Sequence, residues 1–236
     1  MFQLIFPLIF YFLSSSYLLI IPDTGKLSGS DGIANSDSIE YQILYNGIIW
    51  RNSFVSVEGS QFLFAPDFID GTLVIDKHTF NNIKIRYDIY SDELQILKND
   101  GNIIQLNKDR ISSFSINYNN VELKFKNMDS EYDGSLKGFW HLLSDSQIKI
   151  FVKYRKEILP TSYTNGPPKF KQTNTIYILK DNKITRTNKR KELLDLFTKE
   201  YKVKINKFIR NNDIVVSKTD PESFKRVIDY VETITR

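Results

Sequence analysis

The chain has 236 residues, 41% hydrophobic and 25% charged, which suits a folded protein with a sizeable core rather than a disordered one. It has no cysteine, which excludes disulfides, a thiol nucleophile, thiolate metal sites and a lipid-modified N-terminal cysteine. The net charge of +4 is unevenly spread: residues 1–138 carry 11 Lys and Arg against 17 Asp and Glu, and residues 139–236 carry 21 against 11. The basic half can face the acidic half or plain solvent, or it can meet an anionic surface such as lipid head groups, polysaccharide or nucleic acid.

Phe2 to Ile21 is the most apolar stretch and carries no charge. At about 20 residues it is long enough to span a bilayer, but its place before the polar run from Asp23 reads as a secretory signal over residues 1–22. An uncleaved N-terminal anchor is the alternative. Residues 23–38, rich in Gly, Ser and Asp, read as a flexible leader.

Residues 39–187 read as an antiparallel β domain. Ile39–Trp50 is apolar with a turn at Asn46-Gly47, and Ser53–Val57 alternates in polarity. Glu58-Gly59 is expected to turn into a strand at Gln61–Phe64, and Asp70-Gly71 into one at Thr72–Asp76. The clearest stretch is Phe80–Leu106. There Ile83, Ile85, Tyr87 and Ile89 alternate with Lys84, Arg86 and Asp88, the period of a half-buried strand. Leu94 and Ile96 continue the pattern after a break at Ser91–Asp92. Asp100-Gly101 predicts a two-residue type I′ hairpin, with both central residues at positive φ, before Ile103–Leu106 returns. Further hairpins are expected about Asn119-Asn120, Asp145-Ser146 and Asp181-Asn182, with a linker at Pro160–Pro168. Turn signals every 8–12 residues indicate a curled sheet, barrel or sandwich.

From residue 188 the period changes. Leu193, Leu194, Phe197 and Tyr201 fall at helical spacing after Asn188 as N-cap; Ile205, Phe208 and Ile209 repeat it; Phe224, Val227, Ile228 and Val231 follow Asp220 as N-cap and Pro221. Residues 188–236 therefore read as two to three helices packed on the sheet, and the fold class as α+β, mainly antiparallel β. Lys202, Lys204, Lys207 and Arg210 form the opposite, basic face of the middle helix, a candidate binding surface.

Motifs for chemistry are sparse. Asp23-Thr24-Gly25 matches an aspartic-protease triplet superficially, but there is no second copy for a dyad. Asp129, Glu131, Asp133 and Gly134 mimic half of an EF-hand loop, yet position 12, a bidentate Glu in that loop, is Trp140, so a solvated acidic loop is preferred to a calcium site. The two histidines, His78 and His141, have no G-x-S-x-G serine to serve and would bind metal only if the fold joined them to a carboxylate. Lysines interleaved with aromatics (Lys149, Phe151, Lys153 and Tyr154; Lys169, Phe170 and Lys171) can form a stacking platform for single-stranded nucleic acid, but they equally describe a half-exposed strand, and that partner is disfavoured. No cofactor is implied.

The order Trp50-x-Asn52, Gly59, Phe62-Leu63, Phe68 and Gly71, then Tyr87-Asp88-Ile89-Tyr90-x-Asp92-Glu93-Leu94, Ile104-x-Leu106 and Phe114, resembles a largely uncharacterised group of exported proteins of Bacteroidetes-type bacteria. Tyr177-x-Leu179 followed by Leu193-Leu194 and Phe197 is also similar. The resemblance implies the periplasm or cell envelope of a Gram-negative cell, at the periplasmic face of the outer membrane or free in the periplasm, and brings no catalytic residues. The expected function is a non-enzymatic accessory protein that binds another envelope protein through a sheet edge or the basic C-terminal half. The rival is a lipid or small-molecule carrier with an apolar cavity inside the sheet, and third comes a hydrolase built on histidine and carboxylates.

Overall fold

The computed structural model describes residues 42–64, 66–128, 136–164 and 166–235. The apolar N-terminal stretch, the leader, the Asp23 triplet and the acidic residues Asp129, Glu131 and Asp133 lie outside the described residues. Among those described, no helix is long and apolar enough to cross a membrane.

Eleven antiparallel strands form one curled, unclosed sheet: β1 (Gly47–Ile49), β2 (Ile69–Ile75), β3 (His78–Asp88), β4 (Glu93–Leu97), β5 (Ile103–Leu106), β6 (Ile111–Tyr118), β7 (Val121–Asn127), β8 (Phe139–Ser144), β9 (Lys149–Leu159), β10 (Lys169–Lys180) and β11 (Lys183–Arg186). Their lateral order is β1-β5-β4-β3-β2-β6-β7-β8-β9-β10-β11. Three helices follow: α1 (Arg190–Leu194), α2 (Lys199–Asn211) and α3 (Glu222–Ile234). The mainly antiparallel α+β class expected from the alternation is the class observed.

The curl follows from chain length. Laid flat, the step from β5 to β6 crosses four strand spacings, about 19 Å at about 4.8 Å each. The five residue-to-residue steps from Leu106 to Ile111 reach about 18 Å at most when fully extended. That link also contains a 3-10 turn at Lys108–Arg110, which shortens it further. The sheet must therefore bend. It does so in β3, where Asn81 and Asn82 oppose Thr72 in a bulge and Asn82 sits at φ +55°. The Asp76 amide then donates to the Arg110 carbonyl at 3.0 Å and the Asn127 side chain donates to the carbonyls of Lys108 and Ile111, fixing the link.

Several turns match the sequence expectation. Asn119 and Asn120 (φ +51° and +63°) and Asp181 and Asn182 (φ +51° and +57°) take the paired positive φ of type I′ turns. Other expectations are corrected. At Asp100-Gly101 only Gly101 is at positive φ, and the Lys98 amide bonds the Asn102 carbonyl, giving a longer loop with one left-handed residue. Asp70-Gly71 lies inside β2 rather than at a turn, and the turn falls at Asp76-Lys77, both at positive φ. Gln61–Phe64 and Ser53–Val57 are not ladder strands; Phe62 makes one isolated bridge to Asp88. Asn188 does not cap α1: its Oδ1 accepts from the Ile176 amide, and Lys189 holds the cap position. Pro221 already has helical angles one residue before α3, and Asp220 pairs with Arg226 instead of capping.

The curl encloses the first core, in which Tyr87, Phe114, Phe125 and Phe139 meet ring to ring; Phe114 and Phe125 stack at 4.6 Å and Tyr87 stands edge-on to both. A second core lies between β9, β10 and the helices, from Ile150, Val152, Ile176 and Ile178 to Ile205, Ile209, Phe224, Val227, Ile228 and Val231. Each such buried side chain contributes about 1.5–3 kcal/mol before entropy is subtracted. A third, smaller cluster of Met128, Leu136, Trp140 and Phe151 covers the other face of β8 and β9. Both faces of β9 are thus buried.

Gly71 is required by packing. A Cβ there would meet the Ser115 carbonyl oxygen at 2.1 Å, and that oxygen belongs to the neighbouring strand. Gly71→Ala is expected to lower stability by about 1–3 kcal/mol in urea denaturation; a loss below about 0.5 kcal/mol would contradict this packing.

Candidate functional site

The densest polar arrangement in the described chain is centred on Asp92, in the β3–β4 turn. Asp92 adopts φ +63°, which aims its carboxylate back under the sheet. Oδ1 accepts from the Tyr87 hydroxyl at 2.5 Å and from Lys153 Nζ on β9 at 2.7 Å, and Oδ2 pairs with Lys108 in the β5–β6 link. Lys153 Nζ also donates to the Phe139 carbonyl at 2.8 Å and lies 3.4 Å from that of Lys137. Gly138, at φ +75°, leaves room for this: a Cβ there would fall 1.8 Å from Asp92 Oδ2. Asp88 behaves as its turn context suggests, its Oδ1 accepting from the amides of Tyr90 and Ser91.

Burial pulls the Lys153 ammonium down to about 8 against the attraction of Asp92. Its three protons are nevertheless engaged by a carboxylate and two carbonyls, so it braces the fold and has no lone pair to offer a substrate. Burial, followed by the adjacent Asp92 charge, holds the Tyr87 phenol well above its usual value. Next to this cluster Glu93, Lys108 and Asp109 line a cleft of about 450 Å³ together with Asn46, Gly47 and Ile48 at the β1 edge. Half-burial, and then the neighbouring carboxylates, push Glu93 up to about 7, with Lys108 opposing.

A second cationic anchor is Arg86. Its guanidinium lies over the rings of Trp50, Phe62 and Phe68 and donates to Gln95 Oε1 and to the Pro66 carbonyl. Lys156 donates to the carbonyls of Ser60 and Phe62 at 2.7 and 2.5 Å. These contacts hold the irregular segment 58–63 across the mouth of the curl. The Leu63 amide reaches the Tyr87 carbonyl, the Lys156 amide that of Ile89, and the Phe170 amide that of Glu58.

The two ends of the sheet differ. β11 carries Lys183 and Arg186 at its ends, whereas β1 is Gly-Ile-Ile, with Ile48 65% and Ile49 63% exposed. Trp50 donates its amide to the Ile103 carbonyl, so alternation along the strand turns the amide and carbonyl of Ile49 outward.

The residues singled out in the sequence are placed as follows. Lys202 pairs with Asp195 and Lys204 with Glu200, while Lys207 and Arg210 are exposed and have no ion pair among the described residues. At about 100° per residue these four spread over roughly 200° of α2 and do not converge. His78 is exposed at the β2–β3 turn, with Nδ1 near the Asp76 carbonyl. His141 is buried on β8 against the Tyr154 hydroxyl, and burial lowers it to about 4. The histidines are not brought together, and among the described residues no group of three or more His, Asp or Glu could hold a metal. The Lys and aromatic alternation on β9 is not a stacking platform: Phe151 and Lys153 are buried and Lys149 pairs with Asp145. Lys153 is the residue that sequence reasoning missed. Its signal was Ile150-Phe151-Val152, apolar on both parities, which marks a strand covered on both faces and therefore a lysine that must be buried and paired.

No protein-family model matches the chain, and neither does any curated protein or solved structure.

Glu93 sets a pH dependence. Its folded value, about 7, lies above the ordinary 4.5, so the folded state holds a proton that the unfolded chain has released. Stability is thus greatest below about pH 4.5 for this group and falls as pH rises to 7. Glu93→Gln is expected to remove that slope and to raise stability at pH 8 by on the order of 1 kcal/mol, discounted for partial exposure. An unchanged slope in urea titrations from pH 4.5 to 8 would contradict the assignment to Glu93.

Proposed function

We propose that the protein is a non-enzymatic, exported accessory protein of the cell envelope that binds another envelope protein by accepting one of its segments as an added strand beside β1. The observation that carries this reading is the contrast between the sheet edges. Natural sheets guard their edges with lysines, short strands or covering segments, because open backbone groups recruit other chains. Lys183 and Arg186 guard β11 in this way. At β1 shortness, at three residues, is the one such guard among the described residues: two exposed isoleucines flank outward backbone groups, with no charge in the strand. Strand addition draws affinity from backbone hydrogen bonds and specificity from alternate side chains, and the adjoining cleft with Glu93 offers a place for one such side chain.

The interior argues against the rival carrier reading, since a carrier needs room inside the sheet. The rings of Tyr87, Phe114, Phe125 and Phe139 contact one another inside the curl, and the apolar cleft of about 350 Å³ that Phe114 and Phe125 also line is bordered by the exposed residues Ser112, Glu122, Lys124 and Lys126. The basic face of α2 supports partner binding less well than β1 does, because two of its four cations are satisfied within the chain.

The test is photo-crosslinking in cells, with a photoreactive residue in place of Ile48 or Ile49 and, as control, Lys207. The expected outcome is an adduct with one envelope protein from positions 48 and 49 only. Ile48→Lys with Ile49→Lys should abolish adduct formation from a probe at Asn46 without lowering the thermal midpoint. Adducts from position 207 alone, or equal labelling from both surfaces, would contradict the proposal.

A further inference from the structure

On a different face of the molecule, the start of α1 and the loop before α3 enclose a cleft of about 580 Å³, within the range of small-ligand sites. Three cations line it: Arg186 at the end of β11, Lys189 before α1, and Lys218 in the loop. None of the three has an ion pair among the described residues, unlike Lys84, Lys98, Lys149 or Lys225, each of which has found a carboxylate. The single acid among the lining residues, Glu192, accepts from the Asn188 amide at 2.6 Å and offsets one of the three cations. The remaining excess of positive charge in one concavity favours an anion there.

The walls are fixed. The Lys189 and Ser217 backbones form a bridge, and the Asp220 amide closes a turn on the Ser217 carbonyl, which leaves Lys218 and Thr219 at its tip. Asn174 Nδ2 donates to the Lys218 carbonyl at 2.9 Å, the Ser217 amide donates to Ser223 Oγ, and the Ser217 and Thr219 hydroxyls lie 2.8 Å apart. A ligand here would meet a backbone that is already positioned, so the ordering cost left to binding is that of the cationic side chains. Cations supply charge-assisted hydrogen bonds to an oxyanion, and the paired hydroxyls have one proton left to donate to the same group and lone pairs to accept from a sugar-type hydroxyl.

We infer that the cleft bounded by Arg186, Lys189 and Lys218 binds a small ligand bearing a phosphate or sulfate group, separately from any partner at β1. The basic excess of residues 139–236 would favour the approach of such an anion.

The test uses the full chain at low ionic strength. Inorganic phosphate, glucose 6-phosphate and glucose are titrated by calorimetry and by amide NMR shifts, and phosphatidic-acid vesicles are assayed by co-sedimentation. Saturable binding of phosphate or its ester with Kd on the order of 1 mM or tighter is expected, weakening with salt, with shifts at Lys189 and Ser217–Thr219. Lys189→Gln combined with Lys218→Gln should weaken it at least about tenfold, while Lys84→Gln together with Lys225→Gln leaves it unchanged. Binding of soluble phosphate identifies a small molecule as the source of the group; binding of vesicles alone identifies a lipid head group, and either result upholds the site. Binding equal for glucose and its phosphate, binding untouched by the cleft variant, or no binding in any arm would overturn it.

Discussion

One part-buried carboxylate holds the curl in shape. A charge taken partly out of water needs its lone pairs filled, and those of Asp92 are filled by Tyr87, Lys108 and Lys153. These partners come from β3, from the β5–β6 link and from β9, regions that lie at three different places along the bent sheet. The same carboxylate therefore bridges two ammonium groups and offsets part of their mutual repulsion, and it joins strands whose ladders do not touch. Asp92 at positive φ and Gly138 with no side chain are both conditions of that geometry.

The rest of the architecture follows from the bend that this junction secures. With β3 kinked at Asn82, the first half of the sheet turns over the aromatic cluster, and segment 58–63 is drawn across the opening by Arg86 and Lys156. The cores of curl and helices then fill with apolar side chains, so the polar features with room to act lie at the periphery. They fall into two groups of different chemistry: an uncharged edge beside a half-buried glutamate, and a cationic cleft beside a rigid turn. Side-chain ammonium groups inside the fold serve as braces, whereas the cations at the end of β11 and in the loop before α3 have no ion pair among the described residues.

Much of the fold was legible because alternation and turn chemistry are local. Ile83, Ile85, Tyr87 and Ile89 face the first core as their parity requires, although Arg86 and Asp88 on the other parity are buried too, and the Asn119-Asn120 and Asp181-Asn182 pairs sit where type I′ turns demand them. Asp70-Gly71 misled for a physical reason: the glycine serves close approach of Ser115 inside β2, a tertiary demand that looks like a turn in sequence. The α1 N-cap misled similarly, since Asn188 spends its side chain on Ile176 of β10. The Asp92 cluster could not be read, because Lys153 is 61 residues away and only the curl brings it close. The histidines and the basic helix face were visible as residue types, but their separation depends on strand order and helical angle.

The claim that the curl is one cooperative unit clamped by Asp92 is tested most directly by native-state hydrogen exchange on wild-type protein and Asp92→Asn. The informative amides are Leu63, Ile89 and Lys156, which bridge the mouth of the curl at 3.0 to 3.1 Å. The account predicts that in the wild type they open with the same free energy as the buried amides of β3 and β9, and that in Asp92→Asn they lose protection while β10 and α3 keep theirs. Rapid exchange of these three amides in the wild type, or full protection in Asp92→Asn, would contradict it.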